Sequence, residues 1–529
     1  MYLKATNIIS PLGETTEANY SSVSEGRTGI CKHETGTRDV PFPFCASLFS
    51  SPRDFVELAS SSAREALSHT HIEVASSRTL FVLSTTKGVI GVPPGETARE
   101  IAAAIGVTTE PVVVCNACIS GVAAQILALR FIRSGLYDNV IVTGCDVQGK
   151  FEISGFQSLK ALSPEPCRPF DIERLGLNLG EGAATMVFSS SGSEDEWQAV
   201  AGAIRNDAYH ISSPHPQGEG CYLALMEVLK HCNKDDIATV AVHGTATMYN
   251  DQMESKAVMR AGLSDVPLSA LKGYFGHTLG AAGVIETILT ARALDDGIIL
   301  PSKGYSEIGV SGKVTISDEA LPTDKRSFIK QLSGFGGCNG AVLYAKGKCE
   351  TVQTVRERKL QSVATVRLSS ADNLSNIYKD KIGDYPKFYK MDILSRAAFV
   401  ATELLKTASD SDNVVPASDT CAVVLFNHSS SCVSDEQFRS TIADNAAFFP
   451  SPSAFVYTLP NITTGEIALR GGLKGETSFY ILPERNDELM QQVLAATLQD
   501  QAVQTVIAGW IDATANDNYT IELNKYKIS

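Results

Sequence analysis

At 529 residues the chain is too long for one ordinary core, so two or three folded units are expected. Hydrophobic residues at 44% and charged residues at 20% exclude a disordered chain, and a formal charge of −14 excludes broad nucleic-acid binding. No apolar run is long enough to span a bilayer and MYLKATNIISPLGETTEANY has no secretory-signal core, so a cytoplasmic location is expected.

Short apolar strands and amphipathic helices alternate along the chain. TLFVLSTTKG reads as a strand and loop, PVVVCNACISG as a strand entering a sharp turn, GVAAQILALRFIRSG as a helix and NVIVTGCD as the next strand. Further on, TVAVHGTAT is a strand and loop, PLSALKGYFGH a loop, AAGVIETILTARALDDG a helix and GAVLYA an apolar strand. This alternation predicts a layered α/β architecture with buried, largely parallel sheets. The charged segment KGKCETVQTVRERK then marks a boundary. It divides the chain into a unit at 1–347, a linker at 348–358 and a unit at 359–529, the last a plausible domain in size.

The last unit echoes the first. SRAAFVATELLKTA followed by DTCAVVLFNHSSS parallels FVELASSSAREALSH followed by SRTLFVLSTTKG. An ungapped register then lays TGEIALRGGLKGETSFYILPERNDELMQQVLAATL against AREIAAAIGVTTEPVVVCNACISGVAAQILALR, with Glu484 opposite Cys118 and Asn486 opposite Ser120. The plainer alternative is generic α/β patterning in two unrelated units.

Twelve cysteines are scattered without a second pair to complete a metal site around Cys115 and Cys118, so no metal is expected and reduced thiols fit best. Cys118 stands where a strand gives way to a helix, where free backbone N–H groups and the helix dipole favour a thiolate. A lone cysteine there is more often buried packing, and Cys115 takes that reading. His243 ends an apolar strand before a Gly/Thr loop, Lys272 precedes His277 by five residues in LKGYFGHTLGAAG, and LSGFGGCNG sets a Gly-rich loop around Phe335. Each is weak alone; their order and local spacing are specific.

In NACISG, CRPFDIERLGLNLGEGAA, HGTATMYNDQMES, KGYFGHTLGAAG and GFGGCNG the chain resembles the β-ketoacyl synthases of the thiolase superfamily over about its first 345 residues. The resemblance implies two similar α/β halves in αβαβα layers, with the nucleophile Cys118 from the first and His243 and His277 from the second. It implies a decarboxylative condensation of an acyl thioester with a malonyl-type carrier thioester, through an acyl-Cys118 intermediate. The backbone N–H groups of Cys118 and Phe335 are the expected oxyanion hole. Lys272 is expected to pair with Glu254, or with Glu181. Thr245 and Thr247 match hydroxyls that bind phosphopantetheine, with local turn bonding as the equal alternative. No bound cofactor is implied, the substrates riding on the phosphopantetheine of an acyl carrier protein. Arg174, Arg130 and Arg133 are candidate docking residues for that acidic carrier, which a chain of net negative charge can meet only through a local basic patch. Homodimerisation, or pairing with a ketosynthase-like partner, is also implied. The pathway reading is fatty acid-like or polyketide synthesis, with a specialised pigment route such as aryl polyenes as the narrower guess. A non-catalytic chain-length-factor-like partner and a thiolase-like acyltransferase, the latter suggested by Cys338, are the alternatives.

Three departures from the family pattern stand out. Ser333 in QLSGFGG replaces an aromatic residue and is expected to enlarge the acyl pocket or be compensated by a neighbour. The stretch that normally precedes the nucleophile is eroded to GVPPGETAREIAAAIG, yet appears intact in the last unit as FVYTLPNITTGEIALRGGLKGE. That unit is therefore expected to be a nucleophile-free half-domain, catalytically silent, serving as a built-in partner that completes the surface or acyl tunnel.

Overall fold

In the computed structural model, which describes residues 1–347, 358–408 and 419–528, the alternating pattern becomes one unit built three times. The first contains β1 (Tyr2–Ile9), α1 (Phe55–Ser68), β2 (Thr79–Ser84), α2 (Pro94–Ile105), β3 (Val112–Val114), α3 (Ser120–Arg133), β4 (Asn139–Asp146), α4 (Lys150–Ser158) and β5 (Gly182–Ser189). The second contains β6 (Gln198–Asn206), α5 (Glu219–Val228), β7 (Ile237–Ala241), α6 (Met248–Arg260), β8 (Pro267–Ser269), α7 (Ala282–Asp295), β9 (Ser327–Gly334) and β10 (Cys338–Ala345). The third contains β11 (Leu360–Ser369), α8 (Ile393–Ala408), β12 (Cys421–Asn427), α9 (Cys432–Ser440), α10 (Pro452–Tyr457), α11 (Ile462–Gly471), β13 (Thr477–Ile481), α12 (Asp487–Thr497), β14 (Thr505–Ala515) and β15 (Asn518–Ile528).

The strand orders are 3-2-4-5-1, 8-7-9-10-6 and 13-12-14-15-11, the same arrangement each time. In each, the second strand runs parallel to its two neighbours, and the last pairs antiparallel on both sides. β2 and β12 are buried at every position, which is why TLFVLS and CAVVLFN read as unbroken apolar runs rather than alternating ones. PLSALKGYFGH is not wholly a loop. Its Pro267–Ser269 pairs with β7, and Lys272–Phe275 forms one helical turn.

The first two units make the thiolase-like pair. Their sheets touch edge to edge at Tyr2–Gln198, and α3 and α7 lie packed together between them. α3 is buried from Ser120 to Ile132. The helices approach closely because Gly121 and Gly283 face each other, and a Cβ on Gly283 would sit 2.7 Å from the Val122 nitrogen.

The third unit extends the first sheet through an antiparallel seam between β3 and β13, where Val114 pairs with Tyr480 and Val113 with Ile481. The repeat register that sets Glu484 against Cys118 also sets Tyr480 against Val114. Their direct pairing is what a two-fold relation between the units demands. Across the interface Arg130 donates to both carboxylate oxygens of Glu476 at 3.0 and 2.7 Å, and Arg205 to both of Asp500, all four groups buried. Lys87 pairs with Asp435 at 3.0 Å, and Phe151 packs between Phe438 and Phe455. The expected linker at 348–358 falls outside the described residues except for Arg358, which donates to the carbonyls of Leu498 and Asp500.

Candidate active site

The turn that carries Cys118 is fixed from both sides. Ala117 takes the left-handed conformation at φ 48°, a strained state for a residue with a side chain, of about 1–3 kcal/mol. Ser120 Oγ accepts from Asn116 N–H and donates to the Ala117 carbonyl, at 2.8 and 2.6 Å. Asn116 in turn reaches the third unit, accepting from Phe479 N–H at 2.7 Å and donating to the Thr477 carbonyl at 3.3 Å. The Cys118 sulfur faces the backbone N–H groups of Cys118 and Phe335, both of which favour its anion, as does the Lys272 charge. Burial outweighs all three and pushes the thiol up to about 12. The N–H groups of the turn favour the anion, and desolvation opposes it as the larger effect.

One ring nitrogen of His243, one of His277 and the Cys118 sulfur lie within 4.8 Å of one another, and the two rings meet edge to face at 5.1 Å. Burial and the charges of Lys272 and Lys330 hold both imidazoles well below their ordinary pKa, so both are neutral. His277 Nδ1 accepts from Leu279 N–H at 3.2 Å, which assigns the proton to Nε2. That Nε2 is buried without a hydrogen-bond partner. Cys/His/His is also a donor set for zinc, but the two buried ammonium groups beside it oppose a divalent cation.

Lys272 donates to the His243 carbonyl at 2.6 Å and to Glu286 at 2.8 Å. Its carboxylate partner is therefore Glu286, on α7, and neither Glu254 nor Glu181. Glu254 is spent otherwise: its oxygens accept from the backbone N–H groups of His243 and Gly244 at 2.5 and 2.9 Å, fixing the histidine loop. Glu181 accepts from Arg38 and from Phe49 and Gln148 N–H. Glu286 also binds Lys330, whose ammonium caps the end of β7 through the carbonyls of Ala241 and Val242. One carboxylate between two buried ammonium groups was not legible beforehand, since Lys330 and Glu286 sit in unremarkable strand and helix segments. Burial lowers the Lys330 pKa to about 8.

Asp146, at the end of β4, is a third residue that sequence reading missed. Its buried carboxylate accepts from Gly280 N–H at 2.6 Å and from the hydroxyls of Thr85 and Thr86 at 2.6 and 3.1 Å. It joins the His277 loop to the loop after β2, and burial raises its pKa to about 6.

A cleft of about 350 Å³, including its open mouth, runs from Cys118 past Phe335, Phe156 and Leu279 to Phe455 and Leu459 of the third unit. Phe335 stacks on Phe156, and its carbonyl accepts from Asn461 Nδ2 at 2.8 Å, so the third unit holds the Gly-rich loop. Ser333 does not line this cleft: its hydroxyl donates to Asn339 Oδ1 at 2.7 Å and accepts from Gln331 Nε2 at 3.0 Å. Thr245 and Thr247 share a hydrogen bond at 2.9 Å, and Thr247 caps α6, the local bonding left open above. Cys338 is buried against the carbonyls of Phe335 and Asn116, and burial drives its thiol far up. Two of the three candidate docking arginines, Arg130 and Arg174, are buried, and Arg133 stands exposed at the end of α3. Arg130 belongs to the Glu476 pair, Arg133 donates to the Val200 carbonyl, and buried Arg174 donates to the carbonyls of Asp171 and Gly309.

The beta-ketoacyl synthase N-terminal domain model matches residues 58–191, and the C-terminal domain model residues 198–306. Residues 58–306 of the chain belong to the β-ketoacyl synthase family. It is 32% identical over 252 residues to 3-oxoacyl-[acyl-carrier-protein] synthase 2 of Rhizobium meliloti (strain 1021), an alignment covering 44% of this chain and 59% of that one. Alignments with the first curated relatives span 64%, 61% and 59% of their length. Among solved structures, the PfaC keto synthase–chain length factor is similar across 99% of this chain and 78% of its own, with TM-score 0.78 at 14% identity. A type II ketosynthase in complex with its acyl-carrier protein, AntDE:AntF, covers 65% of this chain and 98% of its own, with TM-score 0.58 at 19% identity. At these identities the structural likenesses speak to the fold.

Proposed function

We propose that the β-ketoacyl synthase-family site catalyses decarboxylative condensation of an acyl thioester with a malonyl-type thioester on an acyl carrier protein. The observation that carries this reading is the buried, partnerless Nε2–H of His277 beside Cys118. Such a group is costly unless an acceptor arrives during the reaction. In the first stage the Cys118 sulfur attacks the acyl carbonyl, whose oxygen takes the N–H groups of Cys118 and Phe335, and the carrier thiol leaves with the sulfur's proton. In the second stage the malonyl thioester loses carbon dioxide, and the electron pair of the broken C–C bond becomes an enolate. Its oxygen accepts from His277 Nε2–H and approaches His243. The enolate carbon then attacks the acyl-Cys118 carbonyl, forming the new C–C bond and expelling the sulfur, which is reprotonated.

Donors preset where charge develops are each worth a few kcal/mol, and a neutral imidazole donates through the one N–H it carries. The third unit completes this site from outside it, steadying Asn116 and the Phe335 loop and walling the cleft with Phe455 and Leu459. The same wall sets the room available to the acyl chain. The two histidines and the buried, engaged Cys338 favour decarboxylation over a thiolase-like exchange, and the intact Cys118 turn disfavours a non-catalytic partner. A fatty acid-like or polyketide pathway follows from the reaction, and the built-in third unit suits a specialised route such as polyene pigment synthesis.

Carbon dioxide release from malonyl carrier protein in the presence of an acyl carrier tests the reaction. Wild type should release it and load acyl groups on Cys118, detectable by mass; His277→Ala should lower release about 10²-fold or more. Equal release from wild type and His277→Ala would sink the reading.

A further inference from the structure

Asn461 stands at the head of α11, where an asparagine ordinarily caps the helix by accepting from a backbone N–H of the first turn. Asn486 does so ahead of α12, on Leu489 N–H at 3.0 Å. Asn461 makes no cap hydrogen bond, and its Oδ1 is buried without a partner among the described residues. Its Nδ2 donates instead to the Phe335 carbonyl in the second unit at 2.8 Å, with Cys338 Sγ beside it at 3.7 Å. A carbonyl can only accept, so the loop dictates which way this amide faces. A forgone cap and an orphaned buried oxygen together cost more than one neutral hydrogen bond returns. Stability alone therefore does not account for Asn461.

The loop it reaches is soft. Gly336 and Gly337 both stand in the left-handed region, at φ 86° and 72°, a conformation that glycine enters and leaves easily. The peptide joining Phe335 to Gly336 is clamped at both ends, its carbonyl by Asn461 and its N–H by the Ile211 carbonyl at 2.7 Å. Gly465, the fourth residue of α11, presses on the same place: a Cβ there would sit 2.7 Å from the Gly336 oxygen. This peptide follows directly on the Phe335 N–H, one of the two donors facing the Cys118 sulfur. The repeat supplies a contrast. In the register that sets Glu484 against Cys118, Asn461 falls opposite Gly95, which packs on Leu482 and Pro483 and has no side chain to donate with. The donor stands only where a reactive cysteine lies across the seam. We infer that Asn461 is a positioning residue for acyl transfer, supplied by the third unit. By holding the Phe335–Gly336 peptide it keeps the Phe335 N–H aimed at the oxygen of the acyl thioester. The inference rests on the condensation proposed above, and it makes the third unit's part selective: it bears on the stage that uses this N–H, not on the loss of carbon dioxide that the histidines serve.

The test times the two stages separately. Acyl loading of Cys118 from an acyl carrier is followed by mass spectrometry. Carbon dioxide release is followed in a single turnover, on adding malonyl carrier protein to enzyme already loaded to completion. Asn461→Leu should slow loading about 10–100-fold, short of the roughly 10²–10³ for losing an oxyanion donor outright, and should slow the carbon dioxide step less than about threefold. Asn461→Asp keeps the shape of the side chain but donates only as the neutral acid. At about pH 5.5, where burial keeps that acid protonated, it should load at least about fivefold faster than Asn461→Leu, and the lead should shrink as pH rises and the acid ionises. Equal slowing of both stages in Asn461→Leu overturns the inference, as does loading at the wild-type rate. So does an Asn461→Asp variant no faster than Asn461→Leu at low pH. Wild type that neither loads nor releases carbon dioxide would instead overturn the catalytic reading beneath it.

Discussion

The first and third units share strand order, strand directions and register, yet they treat the same turn in opposite ways. After β3 the chain strains Ala117 into the left-handed region and holds Cys118, half-buried, beside the Phe335 loop. After β13 the counterpart turn holds no left-handed residue. Asn486 there accepts from Leu489 N–H as an ordinary helix cap, and Glu484 points to solvent beside Arg99. The helices that follow diverge too. α3 is buried on every side, whereas α12 exposes Glu488, Gln491 and Ala495. A central helix needs apolar or small residues all round only where a second layer covers it, and α12 has none. Strain at this turn and full burial of the helix after it belong to the unit that bears Cys118, and the third unit shows neither at the counterpart place.

If the third unit is a support, its removal should have the largest effect of any change. Ending the chain after Gly347 would bare the edge of β3, leave Arg130 without its Glu476 partner and leave Arg205 with Glu227 alone. The shortened chain should aggregate or pair with itself, as read by size-exclusion chromatography. A stable monomer condensing at the full-length rate would break the comparison.

Within the interface, the buried pairs should behave asymmetrically. Arg130→Met alone strands Glu476 and should cost about 3–5 kcal/mol in urea unfolding, whereas Arg130→Met with Glu476→Met should recover most of that loss. Equal losses in the single and double variants would mean that packing, not charge, dominates there.

Asp146 and Asp512 occupy equivalent places and sharpen the contrast further. Each accepts from the loop after the second strand of its unit, Asp146 from Thr86 N–H at 3.1 Å and Asp512 from Ser429 N–H at 3.0 Å. Asp146 alone also holds the His277 loop. Asp146→Asn should lower kcat about 10–100-fold, and Asp512→Asn by less than about twofold. The pH dependence has a definite sign. Burial raises the Asp146 pKa to about 6, above its unfolded value, so the folded state keeps a proton that the unfolded chain releases. Asp146 therefore favours folding most at low pH, and that contribution is lost as pH rises from about 4 to 6. Melting temperature against pH should show a shallower decline over this window in Asp146→Asn.

The sequence made the nucleophile, both histidines and the repeat readable because each rests on local patterning: a strand ending in a tight turn, glycine-flanked histidines, an ungapped register. Distant partners were not readable. Glu254 was assigned to Lys272 through the family resemblance, but on α6 its carboxylate meets two backbone N–H groups, and the ammonium reaches Glu286 on α7. Arg130, assigned to carrier docking, failed for the same reason. Charges on a helix look exposed in sequence until a third layer buries them, and Arg130 meets Glu476 only because the third unit folds back onto α3. The seam itself was half-legible, since the register implied a two-fold relation without saying that β3 and β13 would pair.

The smallest expected effect concerns Glu484, the residue standing where a second Cys118 would be. Glu484→Cys restores the sulfur in the repeat register but not its setting. Glu484 is exposed, and among the described residues its one ionic partner is Arg99 at 3.0 Å, itself shared with Glu110. Losing such a surface pair should change stability by less than about 1 kcal/mol. The new thiol would lack the strained turn and the Phe335 N–H, and no histidines would face it. Incubation with acyl carrier protein should therefore load one acyl group per chain in Glu484→Cys, as in wild type, and none in Glu484→Cys with Cys118→Ala. A second acyl group by mass spectrometry would show that position in the fold suffices to make the nucleophile. A single group would show that reactivity lies in the strained turn and the loop that closes over it.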